Sequence, residues 1–198
     1  MQDRAKHKLC RRLGACIWGK AKCPSARRPY PAGQHGKTSK NKLSTFGELL
    51  LQKQRLKVYY GLSEKQLHLT FVDAKKGKTQ TDQKLLNLLE FRLDAATYRS
   101  GLAPTIHAAR QFVVHRHILV DGKIVDRPSY RLRPGQVFSI NVEKDPAIAT
   151  VAKNANCEVP AYLEVDKENC KVKVIREPLL EENPTGVEIM RVVEFYAR

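Results

Sequence analysis

Acidic residues are scarce in this sequence. The 198 residues include 20 Asp and Glu against 36 Lys and Arg, which gives a formal net charge of +16. Such a charge repels itself unless a polyanion screens it, so a phosphate-rich partner is expected. The sequence also has no apolar run near the roughly 20 residues that span a bilayer, which excludes an inserted membrane protein.

Aromatic residues are also few, at 7%, but 42% hydrophobic residues are enough for a folded core in one or two domains. The start Met1-Gln2-Asp3-Arg4 lacks the apolar stretch of a signal peptide, and the five cysteines are an odd number. We therefore expect a protein of the reducing cytosol that is not attached to a membrane.

No arrangement typical of catalysis is present. His115-Arg116-His117 has no nearby Cys or Ser arranged as a nucleophile, and no paired carboxylates occur in a recognisable setting. RNA contact or helix capping explains these histidines better than catalysis does. We therefore expect a protein that is not an enzyme, has no small-molecule substrate and requires no cofactor.

Basic residues are concentrated towards the start of the chain. Residues 1–42 hold twelve Lys and Arg against one acid, residues 43–144 hold seventeen against nine, and residues 145–198 hold seven against ten. A basic arm that leads into a moderately basic body is typical of nucleic-acid-binding proteins. The alternative, a solvated charged surface, would mix both signs, and this arm does not.

The arm, residues 1–42, has no sustained hydrophobic period. Prolines and glycines interrupt it, so residues 27–37, Arg-Arg-Pro-Tyr-Pro-Ala-Gly-Gln-His-Gly-Lys, are predicted to form a loop. This segment suits contacts to phosphate and ribose, because it combines guanidinium groups, a tyrosine for stacking, glycines that allow close approach, and polar donors.

Helical patterns follow over residues 43–91. Capping boxes at Thr45-x-x-Glu48 and Ser63-x-x-Gln66, and a cap at Thr81, predict the starts of three helices. Gly61 and Gly77 are predicted to end the first two. Four leucines at positions 85, 86, 88 and 89 are expected to be fully buried.

A different pattern covers residues 92–176, with its core in residues 92–145. A helix over residues 93–99 and a second one capped by Thr105 are followed by the hairpin Ile118–Val125, whose Asp-Gly pair suits a type I′ turn. Residues 130–133 and 137–142 are predicted to add two strands. The expected fold class is α+β: an extended basic arm, a small helical domain, and a module of two helices with a small twisted antiparallel sheet.

Short motifs in this second region carry a family resemblance. They are Leu93-Asp94, Tyr98-Arg99-x-Gly101, Ala109-Arg110-Gln111, His115-x-His117-Ile118, Val120-x-Gly122 and Pro128-Ser129-Tyr130. Their order and spacing resemble the RNA-binding module named after the fourth small-subunit ribosomal protein. The arm motif, the stretch 48–61 and the ending Val193-Glu194-Phe195-Tyr196 are similar to that ribosomal protein family itself, over nearly the whole chain.

The resemblance implies an inserted module, so that residues 177–198 would return to pack on residues 43–91. It also implies a structural protein of the small ribosomal subunit that binds the 5′ domain of its rRNA early and nucleates assembly there. The expected location is cytoplasmic and ribosome-bound, next to the fifth ribosomal protein and the mRNA entry channel, with an influence on translational accuracy. Family members can also repress translation of their own operon.

The residues expected to contact rRNA are basic, polar or aromatic residues of the arm, the first helix and the module motifs. They are Arg11, Arg12, Arg27, Arg28, Tyr30, Gln34, His35, Lys37, Lys53, Arg55, Lys57, Tyr98, Arg99, Arg110, Gln111, His115, Arg116, His117, Lys123, Ser129, Tyr130, Arg131 and Arg133. Two positions depart from the family pattern. Ile106 stands where an arginine is common, so a phosphate contact there is either absent or supplied by His107. Ala95 stands where an asparagine is common, so a polar contact from that position is in doubt.

Cysteines in the arm raise a metal hypothesis. Zinc needs four nitrogen or sulfur ligands, which His7, Cys10, Cys16 and Cys23 could provide. Some bacterial relatives carry four cysteines before the Arg-Arg-Pro-Tyr motif, and Cys10 and Cys23 match two of them, but Cys16 does not. A structural zinc ion and a set of free thiols with a lost site are therefore both open.

Two other classes of protein use the same RNA-binding module. A free-standing RNA-binding regulator or stress factor has no need of the arm motif. An RNA-modifying enzyme such as a pseudouridine synthase needs a large additional catalytic domain, and only about fifty residues follow the module core here. The arm therefore favours the ribosomal protein.

Overall fold

A computed structural model describes residues 6–17, 23–38, 42–77, 80–142, 144, 146–153 and 159–197. The helices are α1 (Lys6–Leu13), α2 (Pro24–Arg27), α3 (Thr45–Tyr59), α4 (Glu64–Lys75), α5 (Thr81–Glu90), α6 (Leu93–Arg99), α7 (Ile106–Val114), α8 (Pro146–Lys153) and α9 (Ile189–Ala197). The strands are β1 (Ile118–Val120), β2 (Lys123–Ile124), β3 (Val137–Ile140), β4 (Leu163–Asp166) and β5 (Lys171–Val174). This arrangement confirms the predicted α+β class. None of the described helices is both long enough and apolar enough to cross a bilayer.

The chain forms two compact units, one with residues 1–76 and 184–198 and the other with residues 77–183. In the first unit, α9 from the end of the chain packs against α3 and α4. Buried apolar side chains hold these helices together, because removing them from water stabilises the contact. They include Leu49, Leu56, Leu67, Phe71 and Val192.

Local capping residues determine where the helices of this unit begin and end. The predicted capping box of α4 is confirmed: Gln66 N donates to Ser63 Oγ at 3.2 Å, and Ser63 N donates to Gln66 Oε1 at 3.1 Å. Gly61 follows α3 with a φ of 61°, as predicted. The predicted cap at Thr45 is wrong by one residue, because Ser44 has the extended backbone of an N-cap and accepts from Gly47 N.

The second unit contains a five-stranded antiparallel sheet in the order β2-β1-β3-β5-β4. Phe138, Ile118 and Val172 point from it into the core that α6 and α7 help to form. The hairpin is confirmed, with φ of 49° at Asp121 and 78° at Gly122 between β1 and β2.

Three expectations in this unit are wrong. Residues 130–133 do not form a strand: Leu132 N donates to Phe91 O, and Leu93 N donates to Tyr130 O, so the segment pairs with the residues before α6. Thr81 is the first residue of α5, and Gln80 takes the N-cap position without a side-chain bond. Three of the four leucines of α5 are fully buried, and Leu88 is half-buried.

The units divide at residues 76/77 and 183/184, whereas the sequence patterns suggested 91/92 and 176/177. Bonds from α5 explain the difference, since its side chains bind residues from later in the second unit. Asn87 Nδ2 donates to Glu177 Oε2, and Gln83 Nε2 donates to Pro178 O.

Candidate nucleic-acid interface

The arm loop is held by an arginine of α1. Arg11 Nε donates to Tyr30 O and Arg11 Nη2 donates to Pro31 O, both at 3.0 Å. The same guanidinium group lies 4.9 Å from the centre of the Tyr30 ring. Arg11 and Tyr30, both expected to contact RNA, therefore bind each other and fix the loop.

The other polar residues of this loop point to solvent. They are Arg27, Arg28, Gln34, His35 and Lys37, all exposed. Arg12 of α1 is exposed as well. Gly36 closes the turn: an added Cβ would lie 2.0 Å from Pro31 O, so only glycine fits. The loop thus presents cations from a compact backbone.

Arg55 connects α3 to the end of α1. Its Nε and Nη2 donate to Leu13 O at 2.9 and 2.7 Å, which satisfies a carbonyl left open by the end of a helix. Among the predicted contacts, Arg55 is therefore engaged within the protein.

Lys53 and Lys57 of α3 are engaged too. Lys53 is 6% exposed, and its Nζ lies 2.7 Å from Glu64 Oε1 and 4.2 Å from the Phe195 ring centre. Lys57 Nζ lies 3.2 Å from the other Glu64 oxygen. Tyr196 OH donates to Glu64 at 3.0 Å. We refer to Lys53, Lys57, Glu64 and Tyr196 as the Glu64 cluster.

Electrostatics in the Glu64 cluster follow from these bonds. Partial burial raises the pKa of Glu64, but hydrogen bonds from the two lysines and the tyrosine outweigh it and hold the pKa below its usual value. Burial and the adjacent carboxylate raise the pKa of Tyr196. The cluster joins α3, α4 and α9 and leaves Lys53 inaccessible to RNA.

Charged residues are also buried within the second unit. Arg92 donates to both carboxylate oxygens of Asp94, at 3.0 and 2.7 Å, so Asp94 orients a neighbouring arginine. Glu90, 0% exposed, accepts from Arg99 Nε at 3.2 Å and from Tyr162 OH at 2.8 Å. Arg99, a predicted RNA contact, is thus part of a buried hydrogen-bonded group.

The module surface around the end of α7 and the hairpin carries most of the remaining candidates. Gln111, His115, Arg116, Lys123, Ser129, Arg131 and Arg133 are exposed, and Tyr98, Arg110, His117 and Tyr130 are half-buried. Arg116 has a φ of 62° and binds Asp126, at 3.2 Å from Nε and 3.1 Å from Nη2. Sequence reasoning missed Asp126, although an acid in this basic stretch was an available signal.

The two departures from the family pattern lie in the interior. Ile106 is 4% exposed at the start of α7, and Ala95 is 2% exposed within α6. Neither side chain can reach a phosphate.

Three cysteines of the arm come together. The sulfur atoms of Cys10, Cys16 and Cys23 all lie within 4.8 Å of one another. Ser25 Oγ donates to Cys23 Sγ at 3.1 Å, and the backbone N–H of Ile17 donates to Cys10. Burial, with the neighbouring thiols, raises the pKa of Cys10 to about 11. The side chain of His7 and all of Cys157 lie outside the described residues.

Known proteins match the chain along its length. A sequence profile of the Ribosomal protein S4/S9 N-terminal domain matches residues 2–90, and one of the S4 domain matches residues 91–138. The chain is 47% identical over 199 residues to the small ribosomal subunit protein uS4 of Azorhizobium caulinodans, covering 98% of this chain and 97% of that protein. Identity to the proteins of the same name from Paracoccus denitrificans and Wolbachia pipientis wMel is 47% and 40%, with the same coverage. The chain therefore belongs to the S4 family of small-ribosomal-subunit proteins, which is a family of structural ribosomal proteins and not of enzymes.

Proposed function

We propose that this protein is a primary rRNA-binding protein that nucleates assembly of the 5′ domain of the small subunit. In the same proposal it lies in the cytoplasmic ribosome beside the fifth ribosomal protein and the mRNA entry channel, where it influences translational accuracy. Repression of its own operon's translation belongs to the proposal as well. The family resemblance implies these finer points, and the surface of each unit supports the RNA contact.

The distribution of exposed cations carries the proposal. In the first unit, Arg27 at the end of α2 is exposed, as are Arg28 and Lys37 in the following loop, whose backbone accepts two hydrogen bonds from Arg11. In the second, Arg116, Lys123, Arg131 and Arg133 are exposed around the helix end and the hairpin. Guanidinium and ammonium groups displayed on ordered backbone can neutralise phosphates at fixed positions, so they read RNA shape.

The structure also suggests a smaller contact set than the sequence did. Arg11, Lys53, Arg55, Lys57 and Arg99 have their nitrogens bound to carbonyl or carboxylate oxygens of the protein. We assign these five to positioning and leave the exposed residues as the proposed phosphate contacts.

Replacing Arg27 and Arg28 together with alanine should weaken binding to a 5′-domain rRNA fragment. Two exposed guanidinium groups are lost, whereas the bonds from Arg11 that fix the loop remain. The plot of log affinity against log salt should become shallower by about two, one for each lost phosphate contact. Titrations over a salt series measure this slope.

Lys65 and Lys75 provide a matched control, since both are exposed on α4 outside the proposed surface. Their double alanine variant loses the same charge and should leave the slope unchanged. An equal effect of both double variants, or equal wild-type affinity for the 5′ domain and an unrelated hairpin RNA, would contradict the proposal.

We further propose that the thiol cluster binds a structural zinc ion. Sulfurs around one tetrahedral zinc, at about 2.3 Å each, lie about 3.8 Å apart, and three sulfurs within 4.8 Å of one another are close to that arrangement. The donors on Cys10 and Cys23 would stabilise thiolates, as hydrogen bonds around metal ligands do. His7 remains the proposed fourth ligand. The ion would join α1 to the start of α2 and would not react.

Native mass spectrometry with and without a chelator tests the zinc site. We expect the untreated protein to carry one zinc ion that the chelator removes, and the Cys16→Ser variant to carry none. Cys170→Ser, a buried cysteine of the other unit, should keep the ion. A mass that the chelator leaves unchanged would show that these are free thiols.

A further inference from the structure

Arg116 has a backbone conformation that arginine rarely adopts. It follows the last turn of α7 with a φ of 62°, and the turn is closed by bonds from Arg116 N to Val113 O at 3.0 Å and from His117 N to Phe112 O at 2.9 Å. This pairing ends many helices, but glycine usually takes the left-handed position. Strain that persists at one residue points to a use for its side chain.

Asp126 holds that side chain from one direction. Both hydrogen bonds from Arg116 reach the same Asp126 oxygen, from Nε and Nη2, which leaves the Nη1 edge for another acceptor. The side chains are 64% and 45% exposed, so the pair contributes little to folding. Folding stability therefore does not account for this pair.

Asp126, just after the hairpin, differs from Asp121 in the hairpin turn, whose carboxylate stabilises the fold. Asp121 accepts from Val137 N at 3.0 Å and from Gln136 Nε2 at 2.8 Å, and so fixes the turn between β1 and β2. Asp126 instead directs an exposed cation within a surface of cations, where a carboxylate repels any phosphate that approaches from its own side.

We propose that Asp126 is a specificity-determining residue for RNA. It aims Arg116 so that the Nη1 edge meets a phosphate that the rest of the interface has placed in register. Phosphates that arrive elsewhere meet the carboxylate and are disfavoured, because discrimination can be built from repulsion of the wrong partner. This inference rests on the proposed RNA-binding function and adds a residue that opposes non-specific binding.

The test compares Asp126→Asn with Glu181→Gln, which removes the same charge at an exposed position of the same unit. Both bind a 5′-domain rRNA fragment and an unrelated hairpin RNA in the same salt. We expect Asp126→Asn to bind the unrelated hairpin about two- to fivefold tighter than the wild type, and the 5′-domain fragment no tighter. Glu181→Gln should leave the ratio of the two affinities unchanged.

Arg116→Ala supplies the second part of the test. Without the arginine, the carboxylate has no cation to aim and repels the phosphates of both RNAs alike, so Asp126→Asn should no longer change the ratio of the two affinities. The inference is overturned if the two single variants change the ratio equally, or if the effect survives without Arg116. Failure of the proposed function itself looks different: the wild type would then bind both RNAs equally, before any substitution is made.

Discussion

At the scale of single residues, Arg116 has a strained backbone and carries a proposed phosphate contact. An L-residue in the left-handed region costs about 1–2 kcal/mol relative to the right-handed one, whereas glycine adopts it freely. The structure keeps arginine there, at the end of α7 and exposed beside Asp126. Backbone stability therefore favours glycine at this position, whereas the proposed RNA contact requires arginine.

Arg116→Gly should separate the two effects. The substitution relieves the backbone strain, but it also removes the pair with Asp126 and makes the unfolded chain more flexible. The free energy of unfolding should therefore stay the same or rise by up to about 1 kcal/mol. Affinity for the 5′-domain fragment should fall about fivefold with the loss of one phosphate contact. Urea unfolding and RNA titration measure the two quantities.

Arg116→Ala is the control, because it removes the charge and keeps the strain. It should weaken RNA binding as much as Arg116→Gly and bring no gain in stability. If neither substitution changes the affinity for RNA, Arg116 is not part of the RNA interface.

At the scale of elements, the Glu64 cluster joins the consecutive helices α3 and α4 to α9, which lies more than a hundred residues later in the chain. Glu64 begins α4, Lys53 and Lys57 lie on α3, and Tyr196 lies on α9. The ring of Tyr196 also stacks on Phe71 at 4.9 Å. One carboxylate of α4 thus accepts bonds from side chains of both α3 and α9.

Glu64→Gln should destabilise the protein by about 1–2 kcal/mol at pH 7, because the nearly buried Lys53 loses its counter-charge while solvent screens the half-exposed carboxylate. The pKa of Glu64 is lower in the folded protein than in the unfolded chain, where it is about 4.3. The ionised Glu64 therefore adds to the free energy of unfolding above about pH 4.3, and this stabilisation is lost as the pH falls through the folded-state pKa. Urea unfolding should show a smaller difference in free energy of unfolding between the wild type and Glu64→Gln below pH 4 than at pH 7.

Glu188→Gln is the matched control at an exposed ion pair, with Arg191 at 2.6 Å. It should cost at most about 0.5 kcal/mol. Equal losses in the two variants would mean that the Glu64 cluster is no stronger than a surface pair.

At the scale of the whole molecule, sequence similarity and packing divide the chain at different residues. The two family profiles meet between residues 90 and 91, whereas the compact units meet between 76 and 77. Helix α5 is matched by the first profile but packs with the second unit. The physical reason is that Glu90, at the end of α5, accepts hydrogen bonds from Arg99 and Tyr162 of the second unit.

Many features of the fold could be predicted from neighbouring residues. The Ser63 capping box, the Thr105 cap, Gly61 and the Asp121-Gly122 turn depend on contacts within a few residues, and the structure confirms them. The family resemblance, which rests on such motifs, is confirmed by matches along the whole chain. The strand expected at residues 130–133 was wrong, because its pairing partner lies some forty residues earlier.

The sequence by itself determined the charge of the chain, its basic arm, its local turns and caps, and its family, since all of these depend on composition or on short-range pattern. Only the tertiary structure decided which of the basic side chains are exposed and which are bound within the protein. It engages Arg11 and Arg55 with carbonyl oxygens, buries Lys53 against Glu64, and leaves Arg27, Arg28 and Arg116 exposed. It also brings three cysteines together and pairs Arg116 with Asp126. The reason is physical: each partner comes from a different helix, loop or turn, 10 residues away in the chain for Arg116 and 42 for Arg55. Packing between these elements brings the partners together, and spacing along the sequence does not encode that packing.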